Sequence, residues 1–407
     1  MPVTSWVPGA AGSGFAHDHL PYGVFSAGSG TPRIGVRVGA AVLDLTTVAR
    51  LENAGWASVV DADALNPLMA AGPARWDQVR AFVTAVVTDP ARRPVVEPRL
   101  YPLAEVTLHR PFQVADYVDF YSSEHHAGAV GRMFRPGSDP LPVQWRHLPI
   151  GYHGRAGTVV ASGTPIVRPC GQRRPVGQSV PTFGPSRRLD IEAELGFVVG
   201  VGSELSYPVA AGAFAEHVFG VCLVNDWSAR DIQAWETVPL GPFQGKSFAT
   251  SISHWITPLA ALQAARISPP PRTDTLLDYL ADDPAQPWAL DIDLAVTWNH
   301  TLVSGPSYSW MYWTGPQLLA QLTANGASVR AGDLFASGTI SGPDLHAAGS
   351  ILELSMNGQR EIQLDDGSLR TFLLDGDTVT ITGTTRSTSG GRLRLGPVIG
   401  TIAPART

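Results

Sequence analysis

The sequence has few of the residues that mark a disulfide-rich, membrane-spanning or nucleic-acid-binding protein. Its 407 residues include only two cysteines, Cys170 and Cys222, whose separation fits neither a disulfide framework nor a metal-binding motif. No apolar run approaches the ~18 residues that suggest a membrane-spanning helix. The first basic residue is Arg33, so the start of the chain lacks the charged region of a signal peptide. We therefore expect a cytoplasmic protein without a membrane segment.

Charge is also sparse. Charged residues make up 16% of the chain, and the formal net charge is −6. Basic residues form only short pairs, such as Arg173-Arg174 and Arg187-Arg188, so a nucleic-acid partner is not expected. Hydrophobic residues make up 44%, which is enough to build a large core in a chain of this length.

Lysine is almost missing. Of the 29 basic residues, 28 are arginine, and the one lysine is Lys246. It lies in Gly-Pro-Phe-Gln-Gly-Lys-Ser-Phe at 241–248, a largely apolar setting that is unusual for a surface lysine. A compact ammonium group fits where a planar guanidinium does not, which favours a specific role for Lys246. The alternative is that this lysine has survived by chance.

The first 110 residues are rich in glycine, alanine and valine. Thr31–Leu45 reads as a hairpin of short strands, and the spacing of apolar residues predicts a helix from about Trp76 to Val87. A linker is predicted where prolines recur, at Pro94, Pro98 and Pro102. We expect an N-terminal β-rich domain at 1–111 and a second domain at 112–407.

The second part reads as mainly β with a few inserted helices, which makes the fold class mainly β (α+β). Helical patterns cover Asp119–Arg132, Ala213–Gly220 and Gly315–Thr323, the last with Thr314 as N-cap and Pro316 in its first turn. Hairpin signals occur at Asn357-Gly358, Asp366-Gly367 and Asp375-Gly376. Arg370–Thr382 reads as two strands around the last of these.

Two acids alternate with apolar residues in the run from Leu189 to Val199. This period of two predicts a strand in which Glu192 and Glu194 face the same side. Two adjacent carboxylates repel each other unless a cation lies between them. A solvated strand edge is the alternative, although the apolar continuation Phe197-Val198-Val199 favours a central strand.

Further polar residues follow or precede apolar segments. Asp226 ends the strand-like run that begins at Val221, where a third oxygen ligand would be accessible; an Asx turn or helix cap is the alternative.

His126 lies seven residues after Asp119, which on a helix is two turns along the same face. A structural histidine is the alternative there.

These residues favour a hard cation. Four carboxylates without cysteine suit Ca²⁺ or Mg²⁺. The chain contains no His-Glu-x-x-His and no Gly-x-Ser-x-Gly pattern, so the zinc-protease and serine-hydrolase classes lack their usual motifs.

Five sequence blocks resemble the fumarylacetoacetase family, in its order and at its spacings. They are Asp-Tyr-Val-Asp-Phe-Tyr-Ser-Ser at 116–123, Leu-Pro-Ile-Gly-Tyr-His-Gly-Arg at 148–155, Asn-Asp-Trp-Ser-Ala-Arg-Asp-Ile-Gln at 225–233, Pro-Leu-Gly-Pro-Phe-Gln-Gly-Lys-Ser-Phe at 239–248 and Ala-Ser-Gly-Thr-Ile-Ser-Gly at 336–342. The resemblance is dense from 112 to about 385.

The resemblance implies a small SH3-like N-terminal β-barrel, a C-terminal mixed β-sandwich roll and a homodimer. It also implies metal-dependent hydrolysis of the carbon–carbon bond of 4-fumarylacetoacetate to fumarate and acetoacetate, the last step of tyrosine and phenylalanine degradation. By motif position the metal ligands would be Asp119, Glu192, Glu194 and Asp226, with a second cation near the Lys246 backbone and Thr250.

The same resemblance assigns catalytic and substrate-binding roles. His126 would be the general base, oriented by Glu353, and the oxyanion donors would be Arg230, Gln233 and Lys246. The residues implied to line the substrate site are Tyr121, Arg135, Tyr152, Gln233 and Thr339.

Two positions depart from the family pattern. Thr237 stands where the family commonly has tyrosine, and Glu124-His125 replaces a more basic or amide-bearing pair. Thr237 leaves open a hydrolase for a related 1,3-diketone acid of the acylpyruvate or fumarylpyruvate type. A calcium-stabilised β-sandwich that only binds a ligand is the alternative from a different class.

Overall fold

The computed structural model describes residues 4–175 and 177–406 and is mainly β, as the sequence predicts. The strands of its N-terminal part are β1 (Tyr22–Ala27), β2 (Arg33–Val38), β3 (Ala41–Asp44), β4 (Leu100–Pro102) and β5 (Val106–Leu108). They form one antiparallel sheet in the order β4-β3-β2-β1-β5. The helices of this part are α1 (Leu45–Leu51), α2 (Asn66–Ala70), α3 (Pro73–Thr88) and α4 (Arg93–Val96).

Two N-terminal predictions are confirmed and one is wrong. The β2–β3 hairpin and α3 lie where the sequence predicts them. The proline-rich stretch is not a linker, because Pro94 lies in the first turn of α4, Pro98 lies in the 3₁₀ turn Glu97–Arg99 and Pro102 ends β4. A first helical turn and an edge strand both tolerate the missing N–H of proline.

The second part contains shorter and more numerous strands. They are β6 (Tyr117–Phe120), β7 (Gly151–His153), β8 (Val159–Ala161), β9 (Ile166–Val167), β10 (Cys170–Arg173), β11 (Thr182–Pro185), β12 (Leu189–Asp190), β13 (Ala193–Val199), β14 (Val218–Asp226), β15 (Ser228–Ala229), β16 (Thr250–Ile252), β17 (Thr257–Pro258), β18 (Arg266–Ile267), β19 (Ala289–Leu290), β20 (Ile292–Trp298), β21 (Thr301–Ser304), β22 (Leu334–Ala336), β23 (Ile362–Gln363), β24 (Leu369–Arg370), β25 (Thr378–Arg386) and β26 (Arg392–Ala403). Its helices are α5 (Glu124–Phe134), α6 (Phe214–His217), α7 (Arg230–Glu236), α8 (Gln244–Ser247), α9 (Gly315–Thr323) and α10 (Ile351–Leu354).

Two sheets dominate this part. The larger has the order β7-β6-β22-β13-β14-β16-β8, with β17 also paired to β14. The smaller has the order β21-β20-β25-β26-β9. Two-stranded ribbons join β10 to β11, β12 to β15, β18 to β19 and β23 to β24. Within the described residues, no helix has both the length and the apolar character needed to cross a bilayer.

The two faces of the large sheet pack against different parts of the chain. Leu195 of β13 and Leu223 of β14 share a core with β20, β25 and β26 of the smaller sheet. Their neighbours Val198 and Val224 share another core with the N-terminal sheet, including Val36. Side chains along a strand alternate between its two faces, so Glu194 lies on the same face as Val198, and Asp226 on the same face as Val224. The N-terminal sheet packs on the part of this face that carries the valines. The N-terminal part therefore buries the apolar end of the face that carries the acids.

Several local predictions have mixed outcomes. Helix α9 has its predicted bounds, and the N–H of Thr314 donates to Gln317 Oε1 at 3.0 Å. The helix predicted over 213–220 is wrong beyond His217, because Val218 already begins the buried strand β14. Of the three hairpin signals, only Asp366-Gly367 joins two paired strands, β23 and β24. The two-strand prediction around Asp375-Gly376 is wrong because β24 and β25 pair with other strands.

Candidate active site

Four buried carboxylates meet on the large sheet. Asp119 comes from β6, Glu194 from β13 and Asp226 from the end of β14, while Glu192 lies just before β13. One oxygen of each lies within 4.8 Å of the others. Glu194 is completely buried, and Glu192 is 5% exposed, which excludes the solvated edge as an account of this pair. The structure thus brings together acids that are more than a hundred residues apart in the chain.

The cluster contains carboxylate oxygens that have no hydrogen-bond partner among the described residues. Both oxygens of Glu194 and Oδ1 of Asp119 are buried and find no hydrogen-bond donor among the described residues. A buried anionic oxygen without a partner is costly. An all-carboxylate donor set is the one that hard divalent ions prefer, so these residues fit Mg²⁺ or Ca²⁺.

Burial and charge shift the pKa values within the cluster in opposite directions. Burial, followed by repulsion from the neighbouring carboxylates, raises the pKa of Glu194 and of Asp119 well above the usual range. Burial also opposes ionisation of Glu192, but the cations Lys246 and Arg230 hold its pKa below the usual range. A bound dication would favour the charged form of Glu194 and Asp119, because an opposite charge nearby stabilises a carboxylate.

Lys246 lies inside the cluster rather than at the surface. Its Nζ donates to Glu192 Oε2 at 2.5 Å and to Asp226 Oδ2 at 2.7 Å. Burial opposes its charged form, but these carboxylates raise the pKa of Lys246 above its ordinary value. The preceding Gly245 allows this position, because a Cβ there would lie 2.8 Å from the backbone N of Gln233 on α7. The setting of Lys246 argues against survival by chance.

A histidine–carboxylate pair faces the cluster. His126 Nδ1 lies 2.7 Å from Glu353 Oε2, which also accepts from Ser341 Oγ at 3.0 Å and Ser350 Oγ at 2.7 Å. Burial opposes ionisation of Glu353, but His126 and the two serines lower its pKa. An ionised carboxylate only accepts, so Nδ1 carries a proton, and in the neutral imidazole this leaves Nε2 as the acceptor. Nε2 lies 3.9 Å from Glu192 Oε1.

The route from Asp119 to His126 differs from the predicted continuous helix. Asp119 belongs to β6, which pairs with β7 and β22, and Ser123 then caps α5 by accepting from the N–H of His126. Asp119 and His126 therefore do not share a helical face. They lie near each other because the strand ends at the site and the helix begins there.

Arg230 connects several site residues. Its Nη2 donates to Glu192 Oε1 at 2.7 Å, its Nε to Asp190 Oδ2 at 2.7 Å and its Nη1 to Gln233 Oε1 at 3.1 Å. Because a guanidinium only donates, the Gln233 oxygen must face Arg230, which leaves the Gln233 NH₂ group to donate elsewhere. Sequence reasoning missed Asp190, although the alternation that paired Glu192 with Glu194 also includes it.

A cavity of about 400 Å³ opens beside the cluster. The predicted residues that line it are Tyr152, Asp226, Lys246 and Thr250. Tyr152 Oη donates to Asp226 Oδ2 at 3.1 Å, and Thr250 Oγ1 donates to Asp226 Oδ1 at 2.9 Å. Tyr117 also lines the cavity and was not predicted; its buried hydroxyl has no partner within residues 4–175 and 177–406.

The remaining predicted substrate residues lie outside the lining of this cavity. The ring of Tyr121 packs edge-on against His126, with centroids 5.6 Å apart. Thr339 is buried, and its hydroxyl has no partner in the described part of the chain. Arg135 is exposed at the end of α5, where its Nη2 donates to the carbonyl oxygen of Pro140 at 2.7 Å. The structure does not bring Arg135 into the cavity.

The two departures from the family pattern have clear surroundings. Glu124 accepts a hydrogen bond from Arg146 Nη2 at 2.6 Å, so an arginine neutralises this additional acid. The ring of His125 lies edge-on to Trp310 at 5.7 Å. Thr237 Oγ1 donates to the carbonyl oxygen of Gln233 at 2.6 Å, which turns its short side chain back onto α7.

Comparison with known proteins assigns the chain to a family. Residues 18–111 match the family model described as fumarylacetoacetase N-terminal. Residues 116–402 match the one described as fumarylacetoacetate (FAA) hydrolase C-terminal.

Individual relatives agree with the family models. Fumarylacetoacetase from Bos taurus is 44% identical over 98% of this chain and 99% of its own length, and the Homo sapiens protein is 43% identical with the same coverage. A fumarylacetoacetate hydrolase structure from Exiguobacterium antarcticum shares the fold, with a TM-score of 0.53 and 18% identity over 95% of this chain and 100% of that one. The chain therefore belongs to the fumarylacetoacetase family of hydrolases, which act on carbon–carbon bonds.

Proposed function

We propose that this chain hydrolyses 4-fumarylacetoacetate to fumarate and acetoacetate, the last step of tyrosine and phenylalanine degradation. One observation carries the proposal: a histidine–carboxylate pair, His126 with Glu353, faces a buried cluster of four acids. Relatives that are 43–44% identical over almost the whole chain bear the name fumarylacetoacetase, which supports this substrate.

Asp119, Glu192, Glu194 and Asp226 would hold a Ca²⁺ or Mg²⁺ ion, and the Lys246 backbone with Thr250 would contribute to a second cation site. The unpartnered oxygens of Glu194 and Asp119 support the first assignment. When bound, such an ion supplies Lewis-acid stabilisation of negative charge on the substrate's oxygens.

His126 would act as general base. Its Nε2 accepts a proton from water, and the resulting hydroxyl oxygen bonds to the carbonyl carbon next to the scissile bond. Glu353 holds the proton on Nδ1 and stabilises the imidazolium that forms. The carbon–carbon bond then breaks, its electron pair leaves as the enolate of acetoacetate, and a proton returned to carbon completes the product. General base catalysis of this kind typically contributes ~10²–10⁴-fold.

Arg230, Gln233 and Lys246 would stabilise the tetrahedral oxyanion. Gln233 offers its free NH₂ group, Arg230 fixes the orientation of that amide, and Lys246 supplies a point charge. A positioned donor of this type is typically worth ~3 kcal/mol of the activation barrier.

Tyr121, Tyr152 and Thr339 would line the substrate site, and their positions beside His126 and Asp226 support this for the two tyrosines. Arg135 would pair with the distal carboxylate of the substrate. Its guanidinium would have to leave the Pro140 carbonyl oxygen to do so. Arg135→Ala should then raise KM with little change in kcat, because it removes an interaction common to ground and transition states.

A related 1,3-diketone acid of the acylpyruvate or fumarylpyruvate type is the second candidate substrate. Thr237 favours it, because its side chain is held against α7 and leaves space where the family commonly has a tyrosine. Comparing kcat/KM for fumarylacetoacetate and fumarylpyruvate, in the wild type and in Thr237→Tyr, separates the two. A preference of the wild type for fumarylpyruvate would replace the first proposal.

The non-enzymatic alternative, a calcium-stabilised β-sandwich that binds a ligand, would be favoured if His126 lay far from the acids. Its Nε2 lies 3.9 Å from Glu192 Oε1 instead. A binding protein has no need for a base oriented by a buried carboxylate.

The remaining proposals concern organisation. We propose domains at 1–111 and 112–407, the first an SH3-like barrel and the second a β-sandwich roll, assembled as a homodimer in the cytoplasm. The separate N-terminal sheet supports the first boundary, and the free thiols of Cys170 and Cys222 suit a reducing compartment.

The loss of fumarylacetoacetate absorbance, with fumarate and acetoacetate identified as products, tests the main proposal. Purified protein should lose activity after chelation and regain it with Mg²⁺ or Ca²⁺. His126→Ala, assayed in the same metal, is the matched control for contaminating hydrolase. Equal turnover by wild type and His126→Ala would contradict the assignment.

A further inference from the structure

We propose that Asp190 is a positioning residue that joins the base and the oxyanion donors into one unit. The inference rests on the proposed function, since it concerns the same site. Asp190 is completely buried on β12, two residues before Glu192. Asp190 does not line the cavity and makes no hydrogen bond to His126, so its effect must pass through the residues that it holds.

The two carboxylate oxygens of Asp190 accept four hydrogen bonds. Oδ1 accepts from the backbone N–H of Ile191 and of Ile351, both at 2.7 Å. Oδ2 accepts from Arg230 Nε at 2.7 Å and from the N–H of Leu352 at 3.1 Å. Both oxygens of this carboxylate are therefore acceptors for two donors each.

The donors belong to the two halves of the site. Ile351 and Leu352 open α10, the single turn that carries Glu353, whose Oε2 orients His126. Arg230 fixes the Gln233 amide. Asp190 thus fixes the distance between α10, which carries the carboxylate that orients the base, and the Arg230 guanidinium, which orients the Gln233 amide.

An asparagine cannot replace this carboxylate. Its side chain has one acceptor oxygen and one NH₂ group. With the NH₂ group at the Oδ2 position, it faces the donors Arg230 and Leu352; at the Oδ1 position, it faces Ile191 and Ile351. Either orientation removes the acceptor of one backbone N–H of α10. The orientation with the NH₂ group at the Oδ2 position also removes the acceptor of Arg230 Nε.

Asp231→Asn is a matched control. Asp231 is the next acid after Arg230 and accepts a comparable set of hydrogen bonds, from Ser186 Oγ at 2.6 Å, Arg187 N at 2.8 Å and Ile232 N at 3.1 Å. None of these donors belongs to α10 or to the site. Loss of a carboxylate acceptor is common to both variants, Asp231 being half-buried where Asp190 is buried, but loss of the link to α10 is specific to Asp190.

The experiment measures kcat, KM and the proton resonance of the His126 Nδ1–H group in the metal-loaded, full-length protein. For Asp190→Asn we expect kcat to fall on the order of 10²-fold with KM within about threefold of wild type, because misplacement by about 1 Å has an effect of that size. The His126 resonance should shift, while Asp231→Asn should keep both values. A kcat within about threefold of wild type in Asp190→Asn would overturn the proposal.

A second variant covers poor folding of Asp190→Asn. Asp190→Glu retains both charged oxygens but displaces them by one methylene, so we expect a folded protein with an intermediate kcat and a shifted His126 resonance. Wild-type kcat and an unshifted resonance in Asp190→Glu would also refute the inference. The resonance needs no substrate, so it still tests Asp190 if the wild type fails to cleave fumarylacetoacetate.

Discussion

Replacing the one lysine with arginine is the most informative perturbation of the site. Lys246 is 5% exposed, and its Nζ already lies 2.5 Å and 2.7 Å from two carboxylate oxygens. An arginine would retain the charge but would have to place a larger, planar group in the same space. Overpacking of this kind typically lowers the free energy of unfolding by about 1–3 kcal/mol.

The effect on turnover should be larger than the effect on folding. If the ammonium is a point charge for the oxyanion or the departing enolate, its displacement removes a donor typically worth ~10²–10³-fold in kcat. We therefore expect Lys246→Arg to fold and to lose at least ~10²-fold in kcat. The assay is steady-state hydrolysis of fumarylacetoacetate, combined with urea denaturation of the same preparations.

An exposed exchange provides the control. Arg93 pairs with Glu97 on the surface of the protein, so Arg93→Lys should leave both kcat and the midpoint of urea denaturation unchanged. If Lys246→Arg turned over within about threefold of wild type, a role for the compact ammonium would be refuted. The presence of lysine at position 246 would then have no explanation in the chemistry of the site.

Two further predictions test the base and a buried histidine. His126→Ala should lower kcat by ~10²–10⁴-fold while calorimetry shows unchanged affinity for Mg²⁺, because His126 is proposed as a base and not as a ligand; weakened metal binding would make it a ligand instead. Burial lowers the pKa of His19 to about 4. As the pH falls below 6.5, the His19 imidazole is therefore protonated in the unfolded chain before it is protonated in the folded protein. Wild type should therefore lose about 3 kcal/mol of stability between pH 6.5 and 4 from this residue, and His19→Gln should not, as measured by urea denaturation. Parallel pH profiles for the two proteins would contradict this.

Local sequence patterns predicted the site better than the fold. The alternation around Glu192 and Glu194 specified their common face, because a strand has a period of two whatever its partners are. The isolation of Lys246 in the composition pointed to a buried cation. Both signals depend on a few neighbouring residues, and the structure places all three residues together.

Other features depended on contacts that the sequence does not show. Asp119 reads as helical, but pairing of β6 with β22 makes it extended. The stretch from Pro94 to Pro102 reads as a linker, but β4 pairs with β3 across more than fifty residues. The link from Asp190 to Ile351 spans 161 residues, so no local pattern could predict it. Tertiary pairing overrides local preference in each of these places.

The central claim is that four acids hold one divalent cation opposite the His126 base. A crystal structure of the protein soaked in Mn²⁺ tests it most directly, because anomalous scattering locates the ion independently of its ligands. We predict one strong anomalous peak within ligand distance of Asp119, Glu192, Glu194 and Asp226, and a water between that peak and His126 Nε2. An ion bound elsewhere, with these four carboxylates free of metal, would contradict it.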